Sequence, residues 1–375
     1  MLFSCMVRTP QIDLPDDWIP SVATIRGRGA AENPANRFEP LAYLPERGPE
    51  TFEEDAPALP PTVYLRDPAR TVLAKNDSPD IHFDTSLNPY RGCEHGCIYC
   101  YARPTHEYLG FSSGLDFETR ILVKENAPEL LHAELSAKCW KPQLVGMCGV
   151  TDAYQPIERR LELSRRCLQV FAEFRNPVQI ITKNALVVRD IDILSELAAH
   201  DAASVCFSIT TLDPKLHRLM EPRASHPQQR LRAVEAVAKA GIPVGVNVAP
   251  VIPGLTDHEI PAILAAAREA GAESAGHSVL RLPRNVKQLF TAWLERHCPE
   301  RKDKVLNRLR ALRSGQLDDP RFGLRMKGSG VYAAQIQDLF ELSRRRAGFE
   351  MPSETRPVLS TAAFRRPGDA QLALF

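Results

Sequence analysis

The run Asn88-Pro89-Tyr90-Arg91-Gly92-Cys93-Glu94-His95-Gly96-Cys97-Ile98-Tyr99-Cys100-Tyr101 gathers three of the chain's nine cysteines into eight residues. Cys93, Cys97 and Cys100 stand in a C-x3-C-x2-C pattern, and Gly92 and Gly96 fall where the backbone must wrap closely around a bulky object. Thiolates are soft ligands that suit zinc and iron–sulfur clusters. A structural zinc site closes with four ligands, here the three cysteines with His95 or His106. Zinc sites usually draw on two well-separated ligand pairs, however, and the chain holds no second C-x2-C and no H-x3-H pair. A 4Fe-4S cube normally takes four thiolates, so three leave one iron without a protein ligand. Such an open position separates catalytic from structural metal sites. The spacing therefore points to an iron–sulfur site with a catalytic role, with a closed zinc site as the alternative.

Around this loop, short β-branched runs alternate with longer amphipathic stretches. Strands are expected at 83–87, 143–147, 178–182, 205–209, 244–249 and 278–280, and helices at 127–138, 158–174, 188–200, 228–240, 258–270 and 286–297. Gly241 and Gly271 read as helix stops ahead of a strand. Six units at a spacing of roughly 30 residues, where a closed barrel needs eight, give an α/β expectation: a partial (β/α)6 TIM-like barrel. The cysteine loop then follows the first strand, at the end where such barrels place their chemistry.

Residues 1–80, proline-rich around Pro57, Pro60 and Pro61, are expected to form an irregular N-terminal arm, residues 81–285 the core barrel, and residues 286–375 a helical C-terminal extension. Within the arm, Arg26-Gly27-Arg28-Gly29 reads as a solvated, flexible turn, with a basic contact as its alternative. In the extension, helices at 302–313 and 333–346 flank a basic, glycine-containing segment, residues 321–330, with Arg321, Arg325 and Lys327. That segment reads as a solvated loop, with phosphate or nucleic-acid binding as its functional alternative.

Lys and Arg total 47 against 46 for Asp and Glu, so the net charge of +1 gives no general attraction to nucleic acid or an anionic membrane. No apolar run approaches the roughly 20 residues that span a bilayer, and residues 1–10 lack a leader pattern. A cytoplasmic protein is expected, in keeping with an odd number of cysteines and a cluster of free thiols.

With Tyr99 before the last cysteine, the loop resembles the signature of the radical S-adenosylmethionine (SAM) superfamily. The resemblance implies that Cys93, Cys97 and Cys100 hold a 4Fe-4S cluster, that SAM chelates the open iron, and that Tyr99 lies near the adenine; it extends over residues 83–282. Arg91-Gly92-Cys93, Tyr99-Cys100-Tyr101, Thr151-Asp152-Ala153-Tyr154-Gln155-Pro156 and Glu221-Pro222 resemble more narrowly the branch of spore photoproduct lyase and the DNA repair photolyase-like proteins.

The same resemblance implies SAM contacts in the segment 146–152, with Gly149, Thr151 and Asp152 as candidates, although the common Gly-Gly-Glu form is absent. Lys183 would balance the SAM carboxylate and Ser208 would meet the ribose; each is equally an ordinary strand-end polar residue. Residues 248–255 would pack the adenine or simply form a strand exit. Cys148 is a candidate hydrogen-atom donor, against the plainer reading of a small core residue. Cys5, Cys139, Cys167, Cys206 and Cys298 receive no chemistry. The implied partners are an electron donor such as a flavodoxin or ferredoxin and an unknown substrate, with nucleic acid a candidate class. The rival from another class is a metal-stabilised nucleic-acid-binding protein without catalysis.

Overall fold

A computed structural model describes residues 27–38, 61–349 and 359–367; Cys5 and Arg26 lie outside them. The strands are β1 (Val63–Arg66), β2 (Leu73–Lys75), β3 (Thr85–Leu87), β4 (Tyr90–Arg91), β5 (Arg120–Val123), β6 (Val145–Met147), β7 (Val178–Thr182), β8 (Ala203–Ile209), β9 (Val244–Val251) and β10 (Ser274–Val279). The helices are α1 (Leu115–Thr119), α2 (Ala127–Ser136), α3 (Glu158–Leu161), α4 (Leu163–Phe174), α5 (Ile191–Ala198), α6 (Pro214–Met220), α7 (Pro227–Lys239), α8 (Ile260–Glu269), α9 (Val286–His297), α10 (Pro299–Leu312) and α11 (Val331–Arg346).

Strands β3, β6, β7, β8, β9 and β10 lie side by side in chain order, all parallel, with β2 antiparallel at the β3 edge. A parallel sheet that grows in one direction, with crossovers of one hand, sends every connecting helix to the same face. That face is apolar: Val145, Met147, Val178, Ile180, Val205, Phe207, Val244, Val246 and Val248 form one core with Leu168, Phe171, Leu194, Val234 and Ile263 of the helices. The alternate positions point the other way. They include Gly146, Gln179, Ser204, Cys206, Ser208, Gly245, Asn247 and Gly276, with Ile181 the large apolar exception, so the uncovered face is mostly small and polar. The expected α/β, partial (β/α)6 barrel is the fold found.

Local departures have identifiable causes. The expected helix over 158–174 breaks at Glu162, whose φ of 52° is left-handed. Strand β10 begins four residues earlier than expected, because Ser-Ala-Gly-His carries no apolar signal. The proline-rich stretch contributes β1 and β2, and β1 joins β5 and β4 in a second, three-stranded sheet. Arg28 and Gly29 are a packed contact and not a solvated turn: Arg28 is buried and donates to the Glu118 carbonyl at 3.0 Å, while Gly29 and Ala30 donate their amides to the Glu118 carboxylate at 3.0 and 2.8 Å.

Two C-terminal pieces fold back on the barrel. Residues 359–367 cross beneath it: Ser360 donates to the carbonyl of Asp201, just before β8, and Arg365 donates to that of Phe174 at the end of α4. The basic segment 321–330 is also held in place. The Met326 carbonyl accepts from Val279 of β10, while Arg325 binds Asp80 and Ser78 in the loop after β2. Gly323 donates to Asp80 at 2.6 Å. These bonds span the two edges of the open sheet.

Candidate active site

The cysteine loop leaves β4 and lies across the C-terminal ends of the parallel strands. Its shape is fixed by buried polar groups rather than by regular structure. Arg103, fully buried, donates to the carbonyls of Cys97 (3.0 Å), Gly114 (2.9 Å) and Gly96 (3.3 Å) and pairs with the equally buried Glu118 at 2.5 Å. Gly92 and Gly96 have φ of 79° and 64°, a left-handed region that costs glycine nothing. A Cβ on Gly96 would meet the Glu118 carboxylate at 2.5 Å, so the loop is packed as well as bent.

On its other side the loop rests on the segment after β6. Thr151 donates its hydroxyl to the Gly92 carbonyl at 2.7 Å, Gln155 accepts from the Glu94 amide at 3.0 Å, and Ile157 donates to the Glu94 carboxylate at 3.0 Å. Asp152 accepts from the Thr182 hydroxyl and the Lys183 amide, both at 2.7 Å, and its Oδ2 lies 3.4 Å from His95 Nδ1. Burial favours the neutral acid, but His95 and these donors outweigh it and hold Asp152 at about 2. Thr151 and Asp152, candidate SAM contacts, therefore use their side chains to seat the cysteine loop.

The thiols of Cys93, Cys97 and Cys100 are unpaired, with Cys93 and Cys97 buried. They lie close enough to repel one another as anions: burial first, then neighbouring charges that include the other two thiolates, push Cys97 well up, and Lys183 opposes this. Among the described residues no three His, Cys, Asp or Glu side chains converge on a single-ion point. A cubane makes no such demand, since each thiolate takes a different iron. Neither histidine of the zinc alternative is placed as a fourth ligand. His95 is engaged by Asp152 at Nδ1 and by the Asn184 amide at Nε2 (3.0 Å), and His106 Nε2 faces the Arg120 carbonyl at 2.9 Å. Three soft donors, a glycine-shaped cradle and no fourth ligand fit a cluster with one open iron.

Beside the thiols, Tyr99 is buried, with its phenol bonded to Glu221 and 2.9 Å from the Thr210 hydroxyl. Glu221 is also paired with buried Arg230, which holds its carboxyl below the usual range against the effect of burial. The Lys183 ammonium stands 5.9 Å from the Tyr99 ring centre and donates to the Ala249 carbonyl at 3.3 Å. Ser208 lies on the polar inner face of β8, and Gly149 takes φ +123° next to Asn88. Cys148, buried, neighbours Tyr101, whose half-exposed ring carries the Arg281 guanidinium 5.4 Å above it.

A family model for the radical SAM superfamily matches residues 87–267, the stretch that carries the cysteine loop and strands β3 to β9. Over just under half of the chain, residues 87–267 thus resemble a radical SAM domain. The radical SAM family uses a 4Fe-4S cluster and SAM. Sequence relatives include an uncharacterized protein of Mycobacterium tuberculosis, 39% identical over 220 residues, which are 58% of this chain and 65% of that protein. An uncharacterized protein of Methanocaldococcus jannaschii is 30% identical over 174 residues, 46% of this chain and 62% of that protein. The matches thus span just under two thirds of the length of these curated relatives. Among solved structures, spore photoproduct lyase complexed with dinucleoside spore photoproduct aligns with a TM-score of 0.55 at 17% identity, over 77% of this chain and 80% of that one. A mutant of the same enzyme with bound AdoMet and the dinucleoside product gives 0.56 at 14% identity, over 78% and 80%. At such identity the likeness is one of fold.

Sequence reasoning picked out the cysteines but missed Arg103 and Glu118, which hold them, and the supporting roles of Glu94, of His95, read as a candidate zinc ligand, and of Gln155, noted only within a motif. Glu221 was noted only within a Glu-Pro pair. Arg281 at the barrel mouth, which enters no ion pair among the described residues, carried no signal in the sequence.

Proposed function

We propose that this chain is a radical SAM enzyme that acts on an anionic substrate, with nucleic acid the class to test first. The observation that carries the reading is the set of three unpaired thiols at the C-terminal end of the parallel sheet, with Lys183 beside them and a small, polar inner face next to them. When bound, a 4Fe-4S cluster and SAM supply one-electron cleavage of the sulfonium and a 5'-deoxyadenosyl radical for hydrogen abstraction.

In this reading Cys93, Cys97 and Cys100 hold the cluster and Lys183 meets the SAM carboxylate. Tyr99, its phenol tied to Glu221 and Thr210, presents a fixed ring to the adenine. Gly149 and Ser208 serve as further SAM contacts, and Thr151 and Asp152 contribute by fixing the loop and through their backbone. Cys148, next to Tyr101, is the candidate hydrogen-atom donor. Arg281 supports an anionic substrate. Its hydrogen-bond partner is the Met326 sulfur at 3.8 Å, it enters no ion pair among the described residues, and burial followed by the nearby Arg325 lowers its pKa. A half-buried cation of that kind gains by meeting a phosphate. The photoproduct bound by spore photoproduct lyase is a dinucleoside, which is why damaged nucleic acid is the first substrate to try.

The test is anaerobic reconstitution with iron and sulfide, followed by dithionite and SAM. Near four irons per chain and 5'-deoxyadenosine that vanishes in Cys97→Ala support the reading. Zinc in place of iron, or an intact cluster that never cleaves SAM, overturns it.

A further inference from the structure

We infer that the outer cleft behind the cysteine loop is where the electron donor docks, and that the donor is a small acidic protein carrying a low-potential one-electron centre. The inference rests on the radical SAM reading above and assigns a place to its reductant.

The cleft encloses about 370 Å³ and is lined by Pro156, Arg159, Asn184, Arg223, Ser225 and Gln229. The mouth residues Tyr101, Cys148 and Arg281 are not part of it. Its wall toward the cysteines is thin. Asn184 donates to His95 Nε2 at 3.0 Å, and His95 is the second residue after Cys93. A second route runs beside the first: the Arg223 guanidinium binds the Glu94 carboxylate at 3.2 Å and the Arg223 amide donates to the His95 carbonyl at 3.3 Å, with Glu94 and His95 the two residues that follow Cys93. From the cleft lining to the two residues that follow Cys93 there is a single hydrogen bond on either route. Electron transfer falls off steeply with distance, so a donor seated here is well placed.

The charge of the rim selects the partner. Arg159 and Arg160 are exposed and enter no ion pair among the described residues. Tyr64, raised by burial and then by Glu94, also feels Arg160 and Arg223, so Arg160 stands near the Arg223 of the cleft. Arg159 and Arg223 thus line the cleft with the exposed Arg160 next to Arg159 in the chain, and the Glu94 carboxylate that Arg223 binds is buried. In a chain of net charge +1 this is a local positive field, and such a field steers an acidic partner and fixes its orientation. Nucleic acid is the less suitable occupant, because no aromatic side chain lines the cleft to stack a base.

The step itself is simple to balance. One electron leaves the donor's centre, which is oxidised, and enters the cluster, which is reduced; no bond is made or broken and no proton moves.

The experiment uses the reconstituted full chain and a purified flavodoxin as probe. Its dissociation constant is measured by calorimetry at about 50 and 300 mM salt, for wild type, for the double variant Arg159→Glu/Arg160→Glu, and for Arg281→Glu at the mouth. The inference expects binding that weakens with salt, a loss of tenfold or more in the double variant and little change in Arg281→Glu. It also expects cluster reduction by flavodoxin to slow in the double variant while reduction by dithionite, followed by electron paramagnetic resonance, is unaltered. Equal flavodoxin affinity in wild type and double variant overturns the docking site and leaves the radical SAM reading standing. So does a double variant that instead loses affinity for a single-stranded oligonucleotide. Failure of the wild-type chain to hold a cluster or cleave SAM with dithionite overturns both.

Discussion

Gly29 and Gly96 meet backbone to backbone: a Cβ on Gly29 would stand 1.8 Å from the Gly96 carbonyl oxygen. The N-terminal segment is thereby pressed onto the middle of the cysteine loop, and its amides are consumed by Glu118. Gly29→Ala cannot be absorbed by a flexible side chain, since the obstacle is backbone. We expect about 1–3 kcal/mol of destabilisation in urea and a clear drop in iron bound per chain on reconstitution. Full iron loading with unchanged stability would show that the segment is not a structural part of the site.

Arg103 and Glu118 form a completely buried ion pair, and Arg103 also supports two carbonyls of the cysteine loop, Gly96 and Cys97, and those of Ser113 and Gly114. Removing one partner strands the other charge, at a cost of about 3–5 kcal/mol. Arg103→Met should therefore unfold at markedly lower urea, whereas Arg103→Met/Glu118→Met should recover part of the loss. A double variant as damaged as the sum of the singles would contradict the coupling.

How far the sequence could be read follows from where each signal resides. Strands β7, β8 and β9 are buried on the helix side and announce themselves as β-branched runs, and α9 has the bounds the periodicity gives, 286–297. Strands β1 and β5 pair across 57 positions in register, Val63 with Arg120; β1 is largely exposed, and the apolar Ile121-Leu122-Val123 of β5 carries no sign of so distant a partner. The three cysteines are legible because ligands to one cluster sit close in the chain. Their support is not: Tyr99 and Glu221 are 122 residues apart, Arg28 and Glu118 are 90 apart, and only folding brings them together. Spacing reveals a metal loop, while the buried ion pairs that shape it leave no local trace.

Lys183 offers a test of the SAM pocket that does not depend on the substrate. Lys183→Met keeps the aliphatic stem against Tyr99 and removes the ammonium. Iron content should remain near wild type, while the dissociation constant for SAM, measured by equilibrium dialysis, rises about tenfold, the equivalent of about 1.4 kcal/mol. Unchanged SAM affinity would remove Lys183 from the site.

His277 faces the helices from β10, with its ring 4.3 Å from that of buried Phe340. Burial, then Lys327, lowers it to about 4. Because the folded value lies below the ordinary value of 6.5, the unfolded chain binds the proton more readily between the two. Folding stability should therefore be fully present above about pH 6.5 and decline as pH falls toward 4, by on the order of 1–3 kcal/mol from this residue. Urea titrations at pH 7 and pH 5 should show the loss, and His277→Phe should reduce it.

The Asp80–Arg325 contact has a meaning beyond its strength. A closed eight-stranded cylinder takes in only what fits through its end. Here six parallel strands leave a flank, and what crosses it is a short polar clasp between the loop after β2 and the chain beside β10. On the proposed reading of a nucleic-acid substrate, opening that clasp lets a strand be laid in sideways, with both ends remaining outside.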